Sequence, residues 1–344
     1  MAAKTSMSQP PIISICIANY NGMDVIDDCL KSVMTQSGGL AVEIIVHDDA
    51  SSDKSVTHIR EHYPDVKLIE SEKNVGFCIA NNRMAAIAHG EYLLLLNNDA
   101  ALYPDALITL HRAAAEVGLP AILGLPQYNF DTGELLDIGS LLDPFLNPIP
   151  NKDPHQDNVG MVMGACLWIP NLLWKELDGF PEWLGSIGED LYLCCIARLT
   201  SYPVRALSVS GYRHHVGISF GGGKTQQGKL VTTFRRRALS EQNKTFVMAM
   251  TYPTPAMQLI FPIHLLLLLM EGVLLTILKN RRDYFTLIYL PVFRGLIQNR
   301  EKLLATRRSI LGRRTNSLSG FFSAFSIIPY KLRMLLQHGL PHLR

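Results

Sequence analysis

The sequence predicts an α/β protein, a mostly parallel sheet flanked by helices, extended by a C-terminal helical region of different character. Two observations predict it. From residue 12 to about 125, short apolar runs rich in β-branched residues alternate with segments of helical periodicity, across short connections. After Tyr252 the chain turns strongly apolar, and its hydrophobic stretches are separated by basic clusters. The implied organisation is a disordered N-terminus over 1–11, an α/β domain over 12–250, and a helical, basic, membrane-associating region over 251–344.

Each element has its own signal. "IISICIA" reads as a buried strand and "MDVIDDCLKSVMTQ" as a helix with apolar residues at helical spacing. "EIIVHDD" and "VKLIE" read as strands on either side of a helix "DKSVTHIREHY". "GFCIANNRMAAIAHG" reads as a helix stopped by Gly90, "EYLLLLN" as a strand buried on both faces, and "PDALITLHRAAAEVG" as a helix with Pro104 in its first turn. Residues 126–160, rich in Pro, Asp, Asn and Gly, read as loops with a hairpin. "VGMVMGACLWI" is the next strand, followed by helices "NLLWKELDG" and "EDLYLCCIARLTS", a strand "VRALSVS", a glycine-rich mobile segment 214–229, and a helix "FRRRALSEQNKTFVMAM".

The 344 residues carry a formal net charge of only +2, but unevenly. Residues 279–344 hold 13 Lys and Arg against 2 Asp and Glu, a net of +11, and residues 1–278 hold 19 against 28, a net of −9. An acidic body with a basic tail implies an anionic surface as the tail's partner, here a membrane; no nucleic-acid partner is expected. Six cysteines without a CxxC pair read as small core residues of a reducing compartment. The polar start "MAAKTSMSQPP" has no apolar signal core, so the large N-terminal part is expected in the cytoplasm.

Ligands of open α/β sheets bind at the carboxyl ends of the strands. Three such ends carry polar clusters: Asn19, Tyr20, Asn21 and Gly22; Asp48, Asp49, Ser51, Ser52 and Asp53; and Asn97, Asn98 and Asp99. Each cluster alone is ordinary turn chemistry. Three converging on one crevice could hold a divalent cation through oxygen, a diphosphate bridged by it, and a base or ribose.

In "ANYNG", "IIVHDDASSD", "NVGFCIANN", "LLLLNNDA", "GFPEWLGSIGEDLYLC" and "HHVGISF", taken in order, the sequence resembles glycosyltransferase family 2, whose members have the GT-A nucleotide-sugar-binding fold. The resemblance runs from residue 12 to about 245, roughly 70% of the chain. It implies that Asn19, Tyr20 and Asn21 line the nucleoside pocket, that Asp48 bonds the base and that Asp53 supports the loop. It implies that Gly76 and Asn82 lie beside the donor, and that Asp99 binds Mg²⁺ or Mn²⁺ as the acid of the DxD motif. Asn97 stands where relatives often carry the motif's first Asp, and Asn98 lies between them. Asp190 would be the general base of an inverting transfer, with Glu189 orienting it or touching the acceptor. Of the two adjacent histidines, His215 fits a contact with metal or diphosphate better than His214. With Asn97 a neutral amide, the cation is expected to bind weakly without the donor.

Residues 256–278 are long enough to span a bilayer, yet His264 and Glu271 share one helical face and basic clusters flank both ends. Amphipathic or re-entrant helices lying in the cytoplasmic leaflet of the bacterial inner membrane, their basic residues on anionic headgroups, are preferred to a single crossing or a soluble oligomer surface. A membrane-bound enzyme suggests a lipid-linked glycan acceptor, and the "NNDA" motif with this tail is similar to rhamnosyltransferase-type members, which makes dTDP-rhamnose, then a UDP-hexose, the expected donor. The competing classes are a catalytically weak membrane scaffold, kept open by Asn97, and a nucleotidyltransferase, disfavoured because "ANYNGMDV" has no glycine-rich basic run after the first strand.

Overall fold

A computed structural model describes residues 10–215, 224–226, 229–338 and 342–343. The glycine-rich segment 214–229, expected to be mobile, lies mostly outside them. Strand and helix alternate as β1 (Ile13–Asn19), α1 (Ile26–Met34), β2 (Val42–Asp48), α2 (Ser55–His62), β3 (Lys67–Glu70), α3 (Phe77–Ile87), β4 (Tyr92–Asn97), β5 (Ala100–Leu102) and α4 (Ala106–Val117). There follow β6 (Ile122–Gly124), β7 (Gln127–Asn129), β8 (Leu135–Asp137), β9 (Leu141–Leu142), β10 (Pro148–Ile149), β11 (Cys166–Pro170), α5 (Asn171–Glu176), α6 (Glu189–Leu199), β12 (Val204–Ala206) and β13 (Tyr212–His214).

The main sheet has seven strands in the order β12-β6-β11-β4-β1-β2-β3. It is parallel except at β11, which runs antiparallel to both β4 and β6. The four leucines of β4 explain themselves here. Leu93 and Leu95 pack into the core on one face, and Leu94 and Leu96 into the core on the other, as the two-residue side-chain period requires. Register brings the strand ends level: Asn19 pairs with Asp48, and Ala18 with Asn97.

Two local expectations change. The strand expected over 159–169 begins only at Cys166, because its N–H closes a turn onto the Met163 carbonyl. Helix α3 ends at Ile87, three residues before Gly90. Glycine is needed at 90 for a different reason: a Cβ there would run into the backbone of Ile13 and Ser14 in β1. A second, four-stranded sheet in the order β5-β13-β7-β8 caps the carboxyl end of β4 and includes the hairpin expected in 126–160.

Beyond the sheets come α7 (Phe234–Thr251), α8 (Thr254–Lys279), a π-helical stretch Tyr284–Tyr289, α9 (Leu290–Gln298), α10 (Arg300–Gly312), the short α11 (Leu318–Phe321) and α12 (Tyr330–His338). The second half of α7, from Glu241 on, is almost wholly buried. Arg198 of α6 joins the tail to the α/β body: its guanidinium donates to the carbonyls of Phe321, Gly320 and Val159.

Candidate active site

The three polar strand ends form one hydrogen-bonded cluster. Asn19 Nδ2 donates to Asp48 Oδ1 (2.9 Å) and to Ser55 Oγ (3.0 Å), and Asn19 Oδ1 accepts from Asn98 Nδ2 (3.0 Å). Asn98 therefore does more than turn the chain. Asp48 also accepts from the Ser51 hydroxyl (2.6 Å) and N–H (2.9 Å). Asn21 takes a left-handed conformation (φ 50°), which lets its Oδ1 accept from Ser52 N–H (2.8 Å). Asp53 ties the first turn to the second by accepting from Met23 N–H (2.9 Å). A Cβ on Gly22 would collide with the side chains of Asn19 and Asn98, so only glycine lets the chain pass. Tyr20, 53% exposed, stands at the rim of this cluster.

Asp49, which no motif role distinguishes, accepts from both Val75 N–H (2.6 Å) and Gly76 N–H (2.9 Å). It pins the loop before α3, and the next turn of that loop is fixed by Cys78 N–H donating to Gly185 O (3.0 Å). A Cβ on Gly76 would sit a tight 3.3 Å from the Gly185 carbonyl oxygen, and its φ of 90° itself favours glycine. The 74–78 loop and the 185–190 loop are thereby neighbours. Asn82 spends both ends of its amide on the Phe180 backbone (2.8 and 3.0 Å), so it clamps the "GFPEW" turn.

Asp99 is buried, and its partner is His214, whose Nε2 lies 3.0 Å from Oδ1. The sequence favours His215, but β13 pairs His214 with Ala100 of β5, and strand alternation turns the rings of Tyr212 and His214 inward. His215 follows the strand end; its N–H donates to the Asp99 carbonyl (3.0 Å) and its ring stacks on Phe130. Gln127 Nε2 lies 3.0 Å from His214 Nδ1, and Tyr212 OH donates to Gln127 Oε1. This chain leaves Nε2 as the protonated nitrogen, so His214 donates to Asp99 and orients its carboxylate. Asn97 Nδ2 lies 3.5 Å from the same ring nitrogen. Among the described residues no three His, Cys, Asp or Glu side chains group to hold a metal. The residues present fit a cation that shares the Asp99 carboxylate with a bound diphosphate, and do not fit one held by protein alone.

Glu189 and Asp190 open α6, after Gly188 in the left-handed region. Asp190 Oδ2 accepts from Gly164 N–H (3.0 Å) and Oδ1 from Leu191 N–H (2.8 Å). Burial raises the proton affinity of Asp190, and these two donors oppose it. Glu189 is helped too little: burial, then the Asp190 charge, push it up to about 8 against the opposing backbone N–H groups of Glu189 and Ile187, and its Oε2 is buried without a partner. The two acids are thus separated by environment, one with donors for its charged form, the other favoured as a neutral acid. The loop before them hangs on Asn243 of α7, whose Nδ2 lies 2.8 to 3.0 Å from the carbonyls of Leu184, Ser186 and Ile187. Arg236, from the same helix, lies close enough to Asp190 to favour its charge. Neither contact has a sequence signature, because both depend on where α7 packs.

The comparison with known families bears on this arrangement directly. Residues 14–157 match the Glycosyl transferase family 2 model. The matched segment contains the three strand ends and the 74–78 loop, and stops before the acids at 189 and 190. "Uncharacterized glycosyltransferase YibD" of Escherichia coli (strain K12) is 36% identical over 126 residues, covering 36% of this chain and 36% of that protein. Chondroitin synthase of Escherichia coli is 33% identical over 195 residues, covering 55% of this chain and 27% of that protein. The chain thus spans only about a third of the length of these curated relatives. Among solved structures, GalNAc-T7 with UDP, GalNAc and Mn²⁺ superposes with a TM-score of 0.54 at 16% identity, over 71% of this chain and 48% of that one. The fold is GT-A, a central sheet flanked by helices, followed here by a C-terminal helical region with one long apolar helix.

Proposed function

We propose that the protein is an inverting glycosyltransferase that moves a sugar from a nucleoside-diphosphate donor to a hydroxyl of a lipid-linked glycan at the cytoplasmic face of the bacterial inner membrane. The observation that carries this reading is the alignment of Asn19, Asp48 and Asn97–Asp99 at the carboxyl ends of β1, β2 and β4, with the buried Glu189–Asp190 pair brought in beside the 74–78 loop. The nucleoside is bounded by Asn19, Tyr20, Asn21 and Asp48, with Asp53 bracing the turn; Gly76 gives the backbone close approach to the donor. Asp99, oriented by His214 and flanked by Asn97 and Asn98, would hold Mg²⁺ or Mn²⁺. When bound, the cation neutralises charge developing on the leaving diphosphate.

Asp190 takes the acceptor hydroxyl's proton as that oxygen attacks the anomeric carbon and the bond to the nucleoside diphosphate breaks. The Gly164 and Leu191 N–H groups aim the carboxylate, and burial keeps it basic enough to accept a proton. Neutral Glu189 can donate a hydrogen bond to the acceptor. The donor sugar is rhamnose carried on dTDP, with a UDP-hexose second.

Asp190→Ala tests the chemistry. A positioned base is worth on the order of 10²–10⁴ in rate. The variant should lose transfer by at least about 10² while binding the donor as the wild type does. A scaffold reading, favoured only by the sparse metal ligands, predicts no turnover in either protein; persistent turnover in the variant removes Asp190 as the base.

A further inference from the structure

We propose that the outer face of α8, continued by α12, lies flat on an anionic phospholipid bilayer, with the helix axis in the membrane plane. This deepens the membrane placement above and does not depend on the chemistry. Helix α8 is amphipathic with its faces reversed from those of a soluble protein. Its two mid-helix ionisable residues point into the body: His264 is buried against Thr245 Oγ1 (2.9 Å), and Glu271 accepts from Arg237 of α7 (2.7 Å) and Lys331 of α12 (2.8 Å). The outward stripe is Leu259, Ile263, Leu266, Met270, Val273 and Ile277, spaced at i, i+4, i+7, i+11, i+14 and i+18, and all six are exposed. Leu259 and Ile277, at opposite ends of the stripe, are each about 70% exposed.

The inward stripe decides between lying on a membrane and crossing one. Ala256, His264, Leu268, Gly272 and Leu275 are buried against the protein. That seam is about 29 Å long at 1.5 Å per residue, close to the full hydrocarbon thickness of a bilayer. The docking is tight, since a Cβ on Gly272 would run into the rings of Phe285 and Tyr289. A crossing α8 would carry this whole seam into lipid, and with it the ion cluster of Arg237, Glu241, Glu271 and Lys331. Carrying such a cluster into hydrocarbon is costly even with its charges paired. A helix in the interface plane keeps the cluster on the protein side and gives only its apolar stripe to lipid.

Two features select a lipid surface over a second copy of the chain. The Lys331–Glu271 pair joins α12 to α8, and around it Ile327, Ile328, Leu332, Leu335 and Leu336 extend the exposed apolar surface. Arg281 and Arg282 follow directly on α8 and Arg333 lies in α12, and all three are exposed, as headgroups require.

The six native cysteines are all buried and free, so a new surface cysteine can be spin-labelled selectively in the full chain. Leu259→Cys, Leu266→Cys, Val273→Cys and Ile277→Cys sit at exposed positions, and four separate variants guard against one that misfolds. With vesicles of phosphatidylcholine and phosphatidylglycerol, the oxygen-to-nickel accessibility ratio should rise at all four sites to one shared, shallow depth. Partitioning should fall about tenfold or more when phosphatidylglycerol is omitted. A depth profile deepest at 266 and 273 and shallow at 259 and 277 means a crossing helix and overturns the proposal. Labels unchanged by vesicles but broadened by spin–spin contact mean self-association, and overturn it as well. No result requires turnover, so this outcome is independent of the catalytic reading.

Discussion

At the scale of single residues, the site is defined by how each carboxylate is supplied with donors. Asp48, Asp49, Asp53 and Asp190 each accept two or more hydrogen bonds, and Asp99 has His214. Glu189 differs in that one oxygen, Oε2, is buried without a partner, and this has a measurable consequence. Its proton affinity is higher folded than unfolded, so the protonated form contributes stability that is full below the ordinary glutamate range. That contribution is lost as pH rises from about 4.5 toward about 8. Glu189→Gln removes the titration while keeping the size and the donor. Relative to the wild type it should gain about 1–3 kcal/mol of stability at pH 8 and little at pH 4, in denaturant melts at the two pH values. Parallel stability curves would mean that Glu189 is ionised and paired in the fold.

At the scale of elements, α7 is the part that joins chemistry to support. Through Asn243 it holds three carbonyls of the loop that presents Glu189 and Asp190, and through Arg237 and Glu241 it seats α8 and α12. Asn243→Ala should therefore speed amide exchange over 184–191 by about tenfold or more, with little change in β1, β2 and β4; this corresponds to roughly 1–2 kcal/mol of lost local support. Uniform exchange change across the molecule would mark Asn243 as a general packing residue. The strands and their turns were legible in sequence because period and turn chemistry are local. The direction taken by β11 was not, nor was the second sheet, whose strands come from 100–102, 127–137 and 212–214. The seven-residue spacing of His264 and Glu271 correctly put both on one face of a helix. That this face turns inward is decided by Arg237, Thr245 and Lys331, none of which the local pattern contains.

At the scale of the whole molecule, the charge asymmetry of the sequence corresponds to a division of labour. The acidic α/β body carries the strand-end cluster, and the basic helical tail carries an apolar surface with no protein partner among the described residues. The choice between His214 and His215 shows the limit of reading such a site from motifs: β13 ends at His214, and only its pairing with Ala100 sets which histidine meets Asp99. The proposed function requires the carboxyl ends of β1, β2 and β4 to bind a nucleoside-diphosphate sugar with a divalent cation at Asp99. The direct test is thermal melting of the full chain against a panel of dTDP- and UDP-sugars with Mg²⁺ or Mn²⁺, in the wild type, Asp99→Ala and Asp190→Ala. A ligand at 100 times its Kd adds about 2.7 kcal/mol by mass action, a shift of several degrees or less for a chain of this size. One donor should raise Tm only with the cation; Asp99→Ala should lose most of this shift, and Asp190→Ala should keep it. No response to any nucleoside diphosphate, or an equal response in Asp99→Ala, would contradict the proposed function.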